Sequence, residues 1–380
     1  MAKYDFVIVG AGFAGASCAR LLTDKGYKCL VVEERPFVCG NCLTDKQNDI
    51  DIHFLGPHIL HTNNDHVWDF LTTYGDIHQY NYMEYSWYNG KIYPIPYSMN
   101  LLSMLYEKAW PYECDMALSE DLIKNTDQSN IENYCLANFG KEVYEKTIKG
   151  YYEKKFNCHC LEISTASLEE KINDKELIFI NSFFREKYQG VPENGYVNLV
   201  ENMLGDDIDV LLKTNFLADK NKFLNLCDYL IYTGPIDKLF NYCMGNMDWG
   251  SIHFEFTDES DKTTNLSGTP IVRFCDSTAN WYRMTEHKWL TPWRKGQGTE
   301  FDNTTFITYE FFKEWKQGDE CFFPIFNNRS INLHERYVKK LKEHYPKIIP
   351  CGSKAEFKDY SICETIESAM RLVDKFPDKN

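Results

Sequence analysis

Long hydrophobic runs are absent: no stretch of the 380 residues approaches the roughly 18 continuous apolar positions that cross a bilayer. No cleavable leader is expected either, because the apolar stretch near the start runs straight into a glycine turn. The chain reads as soluble, with no membrane span. Basic residues are outnumbered, 41 Lys and Arg against 56 Asp and Glu, and the net charge of −15 argues against nucleic acid as a partner. The 14 cysteines lack the compact framework of a small secreted domain, so reduced thiols in a cytoplasmic protein are expected. Metal-ligand spacing is also missing. Cys158-His159-Cys160 is too closely spaced for a structural zinc site, and His53, His58 and His61 have no carboxylate support. No internal repeat or low-complexity tract occurs.

What is present begins at Val7-Ile8-Val9-Gly10-Ala11-Gly12-Phe13-Ala14-Gly15, an apolar strand running into a glycine turn and then a helical run. Gly10 makes the tight turn, Gly12 lets the backbone approach a pyrophosphate, and Gly15 lets helix and strand pack closely. The start of the helix then faces the phosphates. Glu33 closes a second apolar run, Cys29-Leu30-Val31-Val32, about twenty residues on, where a carboxylate accepts hydrogen bonds from a ribose. Its negative charge opposes a 2′-phosphate, so FAD or NAD fits better than NADP. Only one such fingerprint is evident, so an electron donor for a bound flavin leaves no clear motif.

Along the chain a helix is expected around Val67 to Thr73. Asn89-Gly90 signals a hairpin between Tyr85-Ser86-Trp87-Tyr88 and Lys91-Ile92-Tyr93. Leu101 to Gly150 is read as a helical insertion ending in a short helix from Glu142 to Lys149, and a further helix is expected from Val197 to Met203. Leu226 to Tyr232 is a buried strand followed by Thr233-Gly234-Pro235 and a helix start at Lys238. Residues 250–312 alternate with period two, at Thr269 to Phe274, Tyr282 to Met284 and Thr305 to Tyr309, which predicts an antiparallel sheet. Helices are expected from Arg336 to Tyr345 and from Tyr360 to Asp374, with a strand at Ile348-Ile349-Pro350 running into Cys351-Gly352. Cys39-Gly40-Asn41-Cys42 invites a redox dithiol reading, but the turn residues Gly40 and Asn41 are the stronger reason for the motif.

Several of these segments recur in one order: the glycine-rich start, Gly40-Asn41, Gly56-Pro57-His58 with His61-Thr62-Asn63, Ile148-Lys149-Gly150-Tyr151, Tyr188-Gln189-Gly190, Tyr232-Thr233-Gly234-Pro235-Ile236-Asp237, Arg283 with Glu286-His287-Lys288, and Trp315-Lys316-Gln317-Gly318-Asp319. The series resembles the UDP-galactopyranose mutase family over nearly the whole chain. The resemblance implies an α/β fold: a Rossmann-like FAD-binding domain with a helical subdomain and an antiparallel β-sheet domain. The corresponding residues are 1–80, 197–245 and 325–380 for FAD, 98–150 for the helices, and 81–97, 151–196 and 246–324 for the sheet and substrate. It further implies interconversion of pyranose and furanose forms of a nucleotide sugar without net redox change, with N5 of reduced FAD as the nucleophile. Gly10, Gly12, Gly15, Glu33, Gly40, Asn41, Gly234 and Gly352 carry over to the cofactor. His58 carries over to the reactive edge of the flavin, and Arg283 and Tyr151 to the substrate diphosphate. A homodimer is implied as well, since members of the resembled bacterial group are commonly dimers.

The chain departs from the family at the anion site. Ile172, with Lys171 beside it, falls where a mobile loop bears an arginine, and Phe156 falls at a stacking tryptophan. Phe183 before Tyr188, Phe323 before Pro324, and Asp359 beside Tyr360 fall at tyrosines, so the resemblance implies that Phe156, Phe183, Tyr188, Phe323 and Tyr360 line the substrate. Ser353 falls at an arginine near the flavin, Ser361 at a nearby acid, and Pro57 at an alanine. Each hydrogen bond to a charged group contributes about 1.5–3 kcal/mol, so losing the arginine and two hydroxyls weakens UDP-galactose binding by roughly three orders of magnitude. Either Lys171, Lys175, Arg185 and Lys187 take over, or the substrate differs. Two further readings are an FAD-dependent oxidoreductase using Cys39 and Cys42, and a homologue that has lost mutase activity.

Overall fold

The computed structural model describes residues 3–95, 97–124, 127–169 and 177–379. Five parallel strands form its first sheet, in the order Asp209–Leu211, Cys29–Val32, Tyr4–Val9, Cys227–Tyr232 and Ile348–Pro350. The opening strand is central because it is apolar on both faces. Phe6, Val7 and Ile8 are fully buried, as a parallel strand covered from both sides requires. Val9 lies level with Val32 and Tyr232, so three strands deliver their following loops to one edge. Open parallel sheets bind ligands at that edge.

Helix Phe13–Asp24 covers one face with the small buried residues Ala16, Cys18 and Ala19, which let it lie close to the strands, and with Leu22. Helices Gly195–Leu204 and Ile362–Val373 pack against it. The other face is covered by Asn328–His344, whose Leu333, Tyr337 and Leu341 recur every fourth residue as one apolar stripe. This helix begins eight residues before the expected Arg336, because Asn327 accepts a hydrogen bond from the Ser330 amide and caps it. The last helix begins at Ile362 rather than Tyr360. Ser361 is its cap, paired reciprocally with Glu364. The helix expected at Lys238 is a single turn, Ile236–Leu239.

The second sheet has seven strands, in the order Phe323–Pro324, Trp249–Asp258, Phe306–Lys313, Arg283–Glu286, Ile271–Phe274, Glu84–Tyr88 and Lys91–Ile95. Every pairing is antiparallel except that of Ile271–Phe274 with Glu84–Tyr88. The exception arises because the hairpin comes from far earlier in the chain, and only a long connection lets two strands run side by side in the same direction. The hairpin turns at Asn89 and Gly90, with φ +49 and +76, the double positive φ of a two-residue turn.

The helical insertion comprises Met99–Tyr106, Pro111–Asp121 and Ile131–Asn138. The short helix expected to end at Lys149 instead continues. Lys141–Val143 leads into a widened turn, Tyr144–Lys149, and then into Gly150–Phe156. Gly150 makes this continuation possible: a Cβ there would lie 2.0 Å from the Cys275 carbonyl oxygen, so the helix backbone abuts the sheet. Tyr151 and Lys155, four residues apart, consequently share one helical face. Among the described residues no helix is long and apolar enough to cross a membrane.

Candidate active site

A cleft of about 460 Å³ opens at the carboxyl edge of the parallel sheet, and its walls include Gly10, Gly12, Glu33, Gly40, Asn41, His58 and Gly234. Much of it is backbone. A Cβ on Gly40 would come within 3.2 Å of Gly12 Cα, so the two glycines touch through their main chains. A Cβ on Gly15 would meet the Gly10 carbonyl oxygen at 1.9 Å, and one on Gly352 would meet Ala14 Cβ at 2.6 Å. Gly15 and Gly352 therefore close the packing beneath the cleft. The first helix starts after Gly12, which has no side chain to cover the free N–H groups of the first turn.

Glu33 is buried, and each carboxylate oxygen accepts one backbone N–H, Oε2 from Ala11 at 2.8 Å and Oε1 from Arg35 at 2.8 Å. Each oxygen keeps acceptor capacity for a ribose hydroxyl. Arg35 also lines the cleft. One end of its guanidinium pairs with Glu320, while its Nη1 is buried without a partner among the described residues. A buried guanidinium nitrogen with nothing to donate to is costly. A bound pyrophosphate would satisfy it, so this donor set fits a dinucleotide cofactor.

His58 stands at the cleft wall. Its Nε2 lies 3.0 Å from the Asn41 carbonyl oxygen, which can only accept, so Nε2 carries the proton and Nδ1 is the acceptor nitrogen. Burial pulls its pKa down to about 4, so the ring is neutral at physiological pH. The loop is held by a chain of histidines: the His58 amide donates to His53 Nδ1 at 3.2 Å, and the His53 amide to His287 Nδ1 at 3.2 Å. His287 Nε2 meets Thr308 Oγ1 at 2.6 Å. Two residues further along that strand, on the same face, Glu310 accepts from Arg283 Nε at 2.9 Å and Nη2 at 2.8 Å. One strand thus holds both the His58 loop and Arg283. The two sides come close: a Cβ on Gly56 would lie 3.6 Å from Arg283 Nη2.

Beyond Arg283 lies a buried cluster of charges. Burial disfavours the Arg283 cation, but Glu310 beside it raises its pKa well above the usual arginine value. Arg273, fully buried, donates through Nε to Glu84 at 2.5 Å and through Nη2 to Glu169 at 3.0 Å. Glu169 also pairs with Lys155 and accepts from the Tyr151 hydroxyl at 3.1 Å. Burial raises the Glu169 pKa, yet Lys155, Arg273 and Arg283 together hold it below the ordinary carboxylate value. Lys155 lies 4.6 Å from the centre of the Phe323 ring, and Arg273 lies 5.3 Å from that of Phe183. Phe156 packs against Phe323 at 5.4 Å.

Tyr151, Phe156, Phe183, Phe323 and Arg283 therefore gather around this cluster, as one set of the expected substrate residues. Two others lie apart. Tyr188 sits in a small three-stranded sheet, stacks on Trp68 and donates to Asp65 at 2.8 Å. Tyr360 lines the cofactor cleft and donates to Glu356 at 2.8 Å. Lys171, Ile172 and Lys175 lie outside the described residues. Arg185 is exposed, and Lys187 pairs with Asp65. Among the described residues the cations at the cluster besides Arg283 are Lys155 and Arg273, which the sequence reading missed. The available signal was an arginine inside the otherwise apolar strand Ile271–Phe274, where burial demands a paired charge. Cys39 and Cys42 are free thiols, and the Cys39 Sγ lies 3.2 Å from the Cys42 carbonyl oxygen. Burial pushes the Cys42 thiol up to about 12 and raises Cys39 too, which leaves little thiolate for exchange chemistry.

Known proteins share the family and the fold of this chain. Residues 146–359 match the family model described as UDP-galactopyranose mutase, and residues 8–74 match that of an NAD(P)-binding Rossmann-like domain. A probable UDP-galactopyranose mutase of Klebsiella pneumoniae is 27% identical over 99% of this chain and 95% of its own length. A dTDP-fucopyranose mutase of Escherichia coli is 28% identical over 97% and 98%, respectively. The fold is shared with a crystal structure of reduced UDP-galactopyranose mutase, at a TM-score of 0.68 and 15% identity over 98% of this chain and 94% of that one.

Proposed function

Because the chain belongs to the UDP-galactopyranose mutase family and is an isomerase of that kind, we propose that it interconverts the pyranose and furanose forms of a nucleotide sugar, UDP-galactose or a related activated sugar, with reduced FAD. One observation carries this reading: the dinucleotide cleft and the buried Arg283 meet at the Gly56-Pro57-His58 loop. When bound, the reduced flavin supplies a nucleophilic nitrogen for the anomeric carbon, so a ring can be opened and closed again without net redox change.

The chain's own residues have separate tasks. Gly10, Gly12, Gly40, Asn41 and Gly234 cradle the cofactor, Gly15 and Gly352 keep the packing beneath it close, Glu33 takes the ribose, and Arg35 takes a phosphate. Arg283 is held in one orientation by the two-pronged contact with Glu310 and stabilises the departing diphosphate. His58 presents neutral Nδ1 as a proton acceptor toward a sugar hydroxyl while its Nε2–H stays on the Asn41 carbonyl. Phe156, Phe183 and Phe323 exclude water around the charges. The test is to incubate dithionite-reduced protein with UDP-galactofuranose and, in parallel, with other nucleotide furanoses, and to separate the products by chromatography. Conversion to a pyranose is expected for at least one. Reduced, FAD-loaded protein that converts none of them overturns the reading.

A further inference from the structure

The Glu169 carboxylate has more cationic and hydroxyl partners than a structural ion pair needs. Lys155, Arg273 Nη2 and the Tyr151 hydroxyl all converge on it, while the Glu169 backbone amide donates to the Tyr152 hydroxyl at 2.7 Å. Its oxygens thus sit in a ready-made anion seat: one ammonium, one guanidinium edge and one phenol, with the aromatic rings of Phe156, Phe183 and Phe323 around them. The seat adjoins the reacting side of the molecule, since Arg283 acts on the same carboxylate and reaches the Gly56 loop. It is also reachable. The Glu169 side chain retains 27% of its exposure, whereas Arg273 retains none, so the carboxylate can leave while the guanidinium stays.

Charge balance indicates what would replace it. Among the described residues three cations, Lys155, Arg273 and Arg283, face three carboxylates, Glu84, Glu169 and Glu310. Glu84 and Glu310 are buried and each is tied to one arginine. Among the described residues, removing Glu169 leaves two carboxylates against three cations, with Lys155 and Tyr151 already aimed at the vacated oxygen pair. Preorganised donors of this kind favour a phosphate, whose oxygens accept from ammonium, guanidinium and phenol alike.

We propose that Glu169 is a specificity-determining residue that occupies the seat of a substrate phosphate, and that a sugar diphosphate binds by exchanging with its carboxylate on Lys155, Arg273 and Tyr151. This rests on the nucleotide-sugar reading of the same site. It gives the chain a diphosphate contact built from residues other than the expected loop cation.

The test uses the FAD-loaded full chain and inorganic pyrophosphate, titrated by calorimetry. Glu169→Gln keeps the shape and removes the competing charge, and is expected to bind pyrophosphate about tenfold more tightly or better. Lys155→Met in that background should abolish the gain. Equal or weaker binding by Glu169→Gln overturns the proposal, as does a gain that survives Lys155→Met. Should either variant fold poorly, the wild-type protein crystallised with pyrophosphate decides. Glu169 turned away from Lys155 with a phosphate in its place is expected, and Glu169 still on Lys155, with or without pyrophosphate elsewhere, overturns it. Nucleotide-sugar turnover is a separate readout. A gain in pyrophosphate affinity with no turnover refutes the mutase reading alone, and turnover without the gain refutes the exchange alone.

Discussion

The cofactor cleft and the charged cluster beyond Arg283 lie on either side of one loop, yet they are built by opposite means. The cleft is largely main chain: glycines pressed against one another, an uncapped helix start, and a carboxylate whose oxygens rest on backbone N–H groups. Its parts come from short stretches of sequence with fixed spacing. The cluster is made of side chains from six separate segments, carrying Glu84, Tyr151 with Lys155, Glu169, Arg273, Arg283 and Glu310. It works through charge, and its charges are already paired. A backbone site tolerates changes of side chain around it but no added atom at its glycines. A side-chain site can change its ligand by a few substitutions, provided each buried charge keeps a partner.

The contrast can be broken most sharply at Gly15. Gly15→Ala places a methyl 1.9 Å from the Gly10 carbonyl oxygen, within backbone that cannot move without moving the turn. Loss of nearly all bound FAD is expected, read as missing flavin absorbance in the purified protein. A yellow variant would mean that the cleft is not governed by its main chain.

Arg283→Ala is the matching change on the other side. Turnover should disappear while flavin remains, and the stranded buried Glu310 should lower stability by about 3–5 kcal/mol. Adding Glu310→Gln should restore most of that stability in urea unfolding and none of the turnover. Recovery of both would reduce Arg283 to a structural ion pair.

The smallest effect concerns the joint between the two regions. Burial holds the pKa of His287 at about 3 and that of His53 well below the ordinary value, so both stay neutral in the folded chain. In the unfolded chain each takes a proton near pH 6.5, so at lower pH the unfolded state binds more protons and the folded state loses ground. Stability contributed by these rings is therefore complete above about pH 6.5 and is lost as pH falls toward the folded values. The slope is up to about 1.4 kcal/mol per pH unit for each ring. Urea midpoints between pH 7.5 and pH 5 should decline, and less steeply in His287→Gln. An unchanged slope in that variant would remove His287 from the joint.

What was legible in the sequence follows the same division. Val7 to Gly15, Glu33 and the Asn89-Gly90 turn declare themselves because their chemistry is local: a turn needs a glycine at a stated place, and a strand pairs with its neighbours in a stated register. Four of the five parallel strands and the helices that cover them follow from runs of that kind; the edge strand Asp209–Leu211, short and largely exposed, does not announce itself. The continuation of the Glu142 helix through Gly150 to Phe156 was not legible, since it depends on a carbonyl of Cys275, more than a hundred residues away. Lys155 and Glu169 look like ordinary surface charges in sequence. They acquire meaning only because Gly150 brings the helix down onto the sheet and Arg273 is buried beneath it. Tyr188 is the converse case. Its motif is conspicuous in the sequence, yet its hydroxyl belongs to Asp65, away from the cluster.

The two regions are expected to share one ligand. The direct measurement is a crystal structure of the reduced, FAD-loaded protein with UDP-galactose. The expected result is a flavin ring against the His58 loop, the sugar between it and Arg283, and a phosphate oxygen within hydrogen-bond distance of the Arg283 guanidinium. A sugar nucleotide bound elsewhere, with Arg283 still committed to Glu310 alone, would contradict it.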